Sequence, residues 1–184
     1  YDPIILSNRT PAAYHRDRFQ SLSKNLRGLT RRVVISVVDS YAGTRKAFHE
    51  LEKKGFAFPE DPLESEELLP LLKDMAAAAE AAGLDITTCA EPSPIFQSAG
   101  IRPGACVDGE QINRLTGVQK TRKKDPAQRF ACLCAVSRDI GVRDTCAGGC
   151  VYCYATRRPD EARRRAAGHD PAAPALGATR ESIP

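Results

Sequence analysis

Hydrophobic residues follow two patterns along the first half of the chain. Short runs rich in apolar and β-branched residues lie at 4–6, 33–38 and 84–90. The middle run, Val-Val-Ile-Ser-Val-Val, is typical of a strand buried on both faces of a parallel sheet. Between the runs, apolar residues recur at helical spacing over 10–27, 41–54 and 70–82. The order β-α-β-α-α-β predicts an α/β fold with a wound sheet that is part of a (β/α) barrel-like structure.

The regular alternation ends near residue 91. A turn of helix with a loop is expected over 96–104, a short helix over 108–115 and an arginine-rich helix over 158–167. We therefore expect an N-terminally incomplete α/β part at 1–117, a cysteine-rich iron–sulfur region at 118–170 and a flexible tail at 171–184. The chain opens on Tyr1 inside an apolar run, so we expect it to be the C-terminal portion of a longer protein.

The composition is that of an ordinary water-soluble protein, with 42% hydrophobic and 27% charged residues. No apolar run is long enough to predict a membrane helix, and no signal peptide is recognisable, so a cytoplasmic location is expected. Seven cysteines, an odd number, disfavour a disulfide framework in that compartment. The cysteines are better understood as ligands of a metal or a cluster.

The positive charge is concentrated in one region. Residues 118–168 hold 12 Lys and Arg against 5 Asp and Glu, whereas the whole chain has a net charge of only +4. A solvated basic surface around an anionic cluster accounts for this distribution, and contact with nucleic acid is the alternative.

Three cysteines with close spacing form the main chemical motif. Cys146, Cys150 and Cys153 follow the pattern Cys-x3-Cys-x2-Cys, and the aromatic Tyr152 stands just before the last of them. Gly148 and Gly149 allow the backbone to curl and to direct N–H groups at a negatively charged cluster. Three thiolates are one fewer than structural zinc or an ordinary iron–sulfur cluster needs. The motif therefore predicts a [4Fe-4S] cluster with one open iron and resembles the cluster loop of radical SAM enzymes, which cleave S-adenosylmethionine.

The remaining four cysteines are Cys89, Cys106, Cys132 and Cys134. Four thiolates are enough for a second complete site, either an auxiliary cluster or a tetrahedral zinc. Two alternatives to a second site stay open on sequence grounds. One of these thiols could close the shell of the first cluster, or Cys89 and Cys106 could be small buried hydrophobic residues.

Several stretches resemble a bacterial domain family of unknown function whose C-terminal cysteines are similar to the radical SAM cluster loop. The matching stretches are 1–6, 34–39, 88–91, 105–109, 123–129, 139–141, the cysteine motif and 169–171. The resemblance implies an iron–sulfur protein and, by extension, a radical SAM-like enzyme that forms a 5′-deoxyadenosyl radical. Such an enzyme would need a small-molecule or macromolecular substrate and an electron donor such as ferredoxin or flavodoxin.

Two further functions use the same cysteines. One is a zinc-stabilised module that binds nucleic acid through the basic segment 120–129 and the arginines at 163–165. The second is a non-catalytic redox sensor with a closed cluster. The scarcity of aromatic residues among the basic ones and the α/β character of the first half disfavour the nucleic-acid module.

Overall fold

The computed structural model describes residues 1–39, 41–91, 94–119 and 123–173. Six α-helices and three strands are assigned in these ranges. They are, in chain order, α1 (Ala12–Asn25), β1 (Arg32–Ile35), α2 (Ala42–Glu52), α3 (Leu68–Ala81), β2 (Asp85–Cys89), α4 (Pro94–Ser98), β3 (Arg102–Gly104), α5 (Gly109–Thr116) and α6 (Pro159–Gly168). A short 3-10 helix at Pro62–Glu64 precedes α3.

The described residues divide into two compact units, each made of separate chain segments. The first unit contains 1–38 and 55–137, and the second contains 39–54 and 138–184. The second unit therefore joins α2 with the C-terminal region. The sequence-based regions 1–117, 118–170 and 171–184 are each one continuous segment of the chain, and their boundaries stay predictions.

The first unit is organised around a parallel sheet in the order β1-β2-β3. The N-terminal segment runs parallel to the end of β1 through a bridge between Ile4 and Val37, with Ile4 N–H donating to Ser36 O at 2.7 Å. The mixed α/β class and the parallel strands are thus confirmed. The sheet is open in the part of the chain that the structure describes, and the barrel stays a prediction.

The core of the first unit lies between the sheet and the helices α1 and α3. Apolar positions at helical spacing on α3 point inward, and Leu68, Leu71, Leu72 and Met75 are fully buried. Phe19 of α1 belongs to the same cluster, together with Ile35 of β1. Polar contacts fix the two helices at the edge of this core, since Arg16 pairs with Asp74 at 2.8 Å.

The short strand β3 was missing from the sequence-based prediction, which placed only a turn of helix and a loop at 96–104. It has three residues, includes Pro103 and pairs with β2 alone. Proline is tolerated at a sheet edge because its missing N–H is not needed by a further strand. The sequence Arg-Pro-Gly has no alternation of apolar and polar residues, so its pairing with β2 is what defines the strand.

The helix boundaries agree with the sequence within a few residues. Asp108 is the N-cap of α5, where its carboxylate accepts the N–H groups of Glu110 and Gln111. Gly117 ends α5 with a positive φ of 67°. At α1 the N-cap position is Pro11, and the hydroxyl of the preceding Thr10 donates to Ile5 O. Within the described ranges, no helix combines the length and the hydrophobicity needed to cross a bilayer.

A buried histidine gives the first unit a pH-dependent stability. His15 is 5% exposed, with Nε2 hydrogen-bonded to Ile5 O and Nδ1 to the Tyr1 hydroxyl. Burial lowers the pKa of His15 below its ordinary value of 6.5. The unfolded chain consequently binds a proton at higher pH than the native protein does.

We expect the free energy of unfolding to fall as the pH drops below about 6.5, with a slope no steeper than about 1.4 kcal/mol per pH unit, the limit for one proton. Urea unfolding between pH 7.5 and 5.5 measures this slope, and His15→Gln should reduce it. His49→Gln is the matched control, since the His49 side chain is 66% exposed. An equal slope in the wild type and His15→Gln would contradict the assignment.

Candidate metal centres

All seven cysteines are free thiols, and they fall into two sets. Cys146, Cys150 and Cys153 lie in the second unit on one irregular segment, called here the cluster loop (146–153). The first two of them are exposed and Cys153 is partly buried. The second set belongs to the first unit and consists of Cys89, Cys106, Cys132 and Cys134.

The glycines of the cluster loop bring backbone and sulfur close together. A methyl group placed at Gly148 would lie 3.4 Å from Cys146 Sγ and 3.9 Å from Cys150 Sγ, so both sulfurs approach the same point. The Gly148 N–H donates to Cys146 Sγ at 3.4 Å. Gly149 has a φ of 69°, a conformation that favours glycine. Backbone N–H groups near sulfur stabilise thiolate ligands.

Asp144 closes the cluster loop at its base. Its carboxylate accepts the backbone N–H groups of Arg157 at 2.6 Å and Arg158 at 2.9 Å, and it also pairs with the Arg158 guanidinium. Its own N–H donates to Ala155 O at 3.1 Å. These bonds join the chain before Cys146 to the chain after Cys153. All three thiols therefore sit on one tied loop.

Two further hydrogen bonds fix the backbone at the end of the cluster loop and just after it. The Tyr41 hydroxyl, just before α2, donates to the Tyr152 carbonyl at 2.5 Å. The Arg143 guanidinium donates to the Tyr154 carbonyl at 3.3 Å. Both acceptors are backbone carbonyls, so these bonds fix the path of the backbone without using the side chains of Tyr152 and Tyr154. Tyr41 is distant in sequence, and no sequence pattern pointed to its role.

Hydrogen bonds shift the acidity of the Cys153 thiol in the cluster loop. Partial burial acts to raise its pKa, but hydrogen bonds from the Thr156 and Ala155 backbone and from the Thr156 hydroxyl outweigh burial. The pKa of Cys153 is therefore below its ordinary value. The Thr156 N–H lies 3.3 Å from the sulfur. Donors placed in this way favour the thiolate, which is the form that binds iron.

The donor set of the cluster loop fits an iron–sulfur cluster in number, type and chain spacing. In the described ranges, no three cysteine, histidine or carboxylate side chains surround one point closely enough to hold a metal ion. The three loop thiols thus share a loop but do not yet converge. Since two of them are exposed, a cluster could reach them from solvent without unfolding of the core.

The four cysteines of the first unit come together from three separate segments. Cys106 Sγ lies 3.4 Å from Cys89 Sγ, and Cys132 and Cys134 are buried together beside Cys89. Burial, above all, together with the neighbouring Cys106 thiol, raises the pKa of Cys89 to about 12. The sequence named these four residues, and the fold brings them into one region of the first unit.

Several further charged residues, among them two of the arginines at 163–165, have structural partners. The Glu91 carboxylate accepts the Val37 N–H at 2.7 Å, which ties the end of β2 to the end of β1. On α6, Arg163 pairs with Asp160 at 2.7 Å, and Arg165 pairs with Glu161. Part of the basic charge of α6 is thus compensated within the helix. Residues 120–122 of the predicted basic segment and residues 174–184 of the expected tail lie outside the described residues.

The fold and the two cysteine sets define a mixed α/β protein with a tied three-cysteine loop in one unit and a four-cysteine group in the other. A family model described as "Domain of unknown function (DUF1848)" matches residues 1–155, and the chain belongs to this family. The match includes all seven cysteines. Comparisons with curated proteins and with solved structures gave no significant match.

Proposed function

We propose that this protein is an iron–sulfur protein whose cluster loop binds one [4Fe-4S] cluster through Cys146, Cys150 and Cys153. The observation that carries the proposal is the tied loop, in which Asp144 joins the chain on both sides of the three thiols. A loop held at its base limits how far its thiols can separate. Three thiolates are also one short of a closed shell, which leaves one iron without a protein sulfur.

A bound cluster of this kind would supply single electrons at its open iron, the chemistry with which radical SAM proteins cleave S-adenosylmethionine. The chain's own groups would hold and orient it. The three thiolates would bind iron, the Gly148 and Thr156 N–H groups would stabilise the sulfurs, and nearby arginines would balance negative charge. Arg163 is one of these arginines: its Nη1 would lie 3.8 Å from a methyl group built on the Cα of Gly149.

We also propose an enzymatic activity, in which a ferredoxin or flavodoxin would supply electrons to the cluster; the residues do not specify the substrate. The open parallel sheet would be part of a (β/α) barrel-like structure. Reactive groups in such folds gather at the carboxyl ends of the strands.

Anaerobic reconstitution of the full chain with iron and sulfide tests the proposal. We expect about four irons and four sulfides per chain, with the brown colour of thiolate-bound iron. Cys150→Ser should lose most of this iron. Cys106→Ser is the matched control, because it removes an exposed thiol of the first unit and should leave the iron content unchanged.

Electron paramagnetic resonance of the dithionite-reduced protein then tests the open iron. We expect the spectrum to change on addition of S-adenosylmethionine and 5′-deoxyadenosine to form. An iron-loaded protein with an unchanged spectrum and no product would reject the radical SAM activity and leave a closed redox cluster. A colourless protein that keeps no iron after reconstitution would reject the cluster itself.

A further inference from the structure

Four cysteines of the first unit are brought together by the ends of two strands and one later segment. Cys89 is the last residue of β2, and Cys106 follows β3 by two residues. The parallel pairing of Cys89 with Gly104 sets these strand ends side by side. Cys132 and Cys134 come from the irregular segment after α5. Residues as far apart as 89 and 134 are thus collected at one end of the sheet.

Backbone hydrogen bonds hold the later segment against the strand ends. The Ala135 N–H donates to Val107 O at 2.9 Å, and the Val107 N–H donates to Cys134 Sγ at 3.4 Å. The segment is also paired with its own upstream part through a bridge between Lys124 and Ala135. Cys134 is therefore fixed by bonds on both sides.

The Cys-x-Cys segment presents both of its sulfurs in one direction. Cys132 and Cys134 are buried, whereas Leu133 between them is half exposed, which is the alternation of an extended chain. Burial, above all, raises the pKa of Cys132, and the neighbouring Cys134 and Cys106 thiols act in the same direction. Ala90, Ala105 and Val107 pack apolar surface against the buried Cys132 and Cys134, whereas Cys106 is exposed. The apolar surface keeps water from the buried thiols and strengthens bonds between a cation and their thiolates.

The spacing of the sulfurs distinguishes a single metal ion from a cluster. Cys89 Sγ and Cys106 Sγ are 3.4 Å apart. Four thiolates about 2.3 Å from one tetrahedral zinc are separated from each other by about 3.8 Å. In a [4Fe-4S] cluster each thiolate binds a different iron, so the sulfurs lie much farther apart. The observed pair is close to the edge of a zinc tetrahedron.

We propose that Cys89, Cys106, Cys132 and Cys134 form a four-thiolate site for one tetrahedral zinc ion, separate from the cluster loop. Cys89 and Cys106 form one close pair, and Cys132 and Cys134 are buried beside Cys89. No three of these thiols surround one point in the described ranges, so zinc would draw them together onto one centre. The site would fasten the segment around 132–134 to the ends of β2 and β3. The Arg129 charge acts on Cys89 and would offset part of the negative charge of four thiolates.

The competing arrangement is a disulfide between Cys89 and Cys106, whose sulfurs are near enough to be oxidised. Such a bond would use two of the four thiols and would leave no zinc site. Counting zinc and free thiols in the same sample distinguishes the disulfide from the zinc site, because the zinc form keeps all four thiols reduced when the metal is removed.

Zinc content of the full chain, purified with zinc present and then desalted, is the first measurement. We expect about one zinc per chain in the wild type and near zero in Cys106→Ser and Cys134→Ser. Cys150→Ser, in the cluster loop, is the control and should keep its zinc. Equal zinc in the wild type and Cys106→Ser, or loss of zinc only in Cys150→Ser, would overturn the proposal.

Cobalt substitution of the wild-type chain gives a second readout that needs no variant to fold. Co²⁺ in the proposed site should show the intense absorption of tetrahedral cobalt bound to thiolates, and stoichiometric Zn²⁺ should abolish it. A Co²⁺ spectrum without tetrahedral thiolate bands, or a purified chain with a Cys89–Cys106 disulfide and no zinc, would overturn the proposal. The iron content of the cluster loop is measured separately, so failure of one site does not imply failure of the second.

Discussion

Asp144→Ala is expected to weaken retention of the iron–sulfur cluster by about 10- to 100-fold, the usual cost of removing a group that positions metal ligands. Asp144 is not one of the three proposed cluster ligands. It accepts the N–H groups of Arg157 and Arg158 and so ties the two ends of the cluster loop. Without that tie the three thiols would be ordered only when the cluster binds, and the loss of chain entropy would oppose binding.

Iron retained after a fixed dialysis against a chelator measures the effect. Asp144→Asn should lie between the wild type and Asp144→Ala, because an amide oxygen still accepts N–H bonds but lacks the charge that pairs with Arg158. Asp139→Asn is the matched control on an exposed turn, where the carboxylate accepts only the Gly141 N–H among the described contacts. Wild-type retention in Asp144→Ala would refute the proposed tie.

Asp144 also has an unusual backbone conformation, with a φ of 58°. Residues other than glycine rarely adopt positive φ, and aspartate is among those that tolerate it. Asp144→Gly would therefore relieve the backbone while removing the carboxylate. If Asp144→Gly and Asp144→Ala lose iron equally, the carboxylate rather than the backbone conformation holds the loop.

Leu72→Ala is expected to lower the free energy of unfolding by about 2–5 kcal/mol. Leu72 is fully buried on α3 and belongs to the cluster that joins this helix to α1 and the sheet. Truncation removes apolar contacts and leaves a cavity that the close-packed surroundings fill only partly. This is a large fraction of the roughly 5–15 kcal/mol by which a typical domain is stable.

Urea unfolding of the two variants side by side checks this expectation. Leu115→Ala makes the same change near the end of α5, at a side chain that is 76% exposed, and should shift stability by less than about 0.5 kcal/mol. Leu72→Ala should move the midpoint without changing the denaturant slope. Equal midpoints for Leu72→Ala and Leu115→Ala would mean that α3 does not anchor the core.

The fold was predictable where local patterns carry the information. The helical spacing of apolar residues located α1, α2 and α3 within a few residues, and Asp108 and Gly117 marked the bounds of α5. The strand β3 was not predictable, because its three residues include a proline and have no apolar alternation. The discontinuous second unit was not predictable either, since α2 carries no signal that places it with residues after 138.

In the candidate sites, too, local spacing was predictable and contacts between distant residues were not. The spacing of Cys146, Cys150 and Cys153 is legible in the sequence, because ligands on one short loop must be close along the chain. Asp144 was missed, since its role depends on hydrogen bonds to residues 155–158 rather than on any motif. Tyr41 was missed for the same reason, at a sequence distance of 111 residues from Tyr152.

By itself, the sequence determined the α/β class, most helices and the identity of the cysteines, because periodicity, capping and short-range spacing are properties of neighbouring residues. Only the tertiary structure decided that Cys89 and Cys106 lie beside each other with Cys132 and Cys134, and that one carboxylate ties the cluster loop. Those arrangements depend on strand pairing and on hydrogen bonds between distant segments, and such pairings form only when the chain has folded.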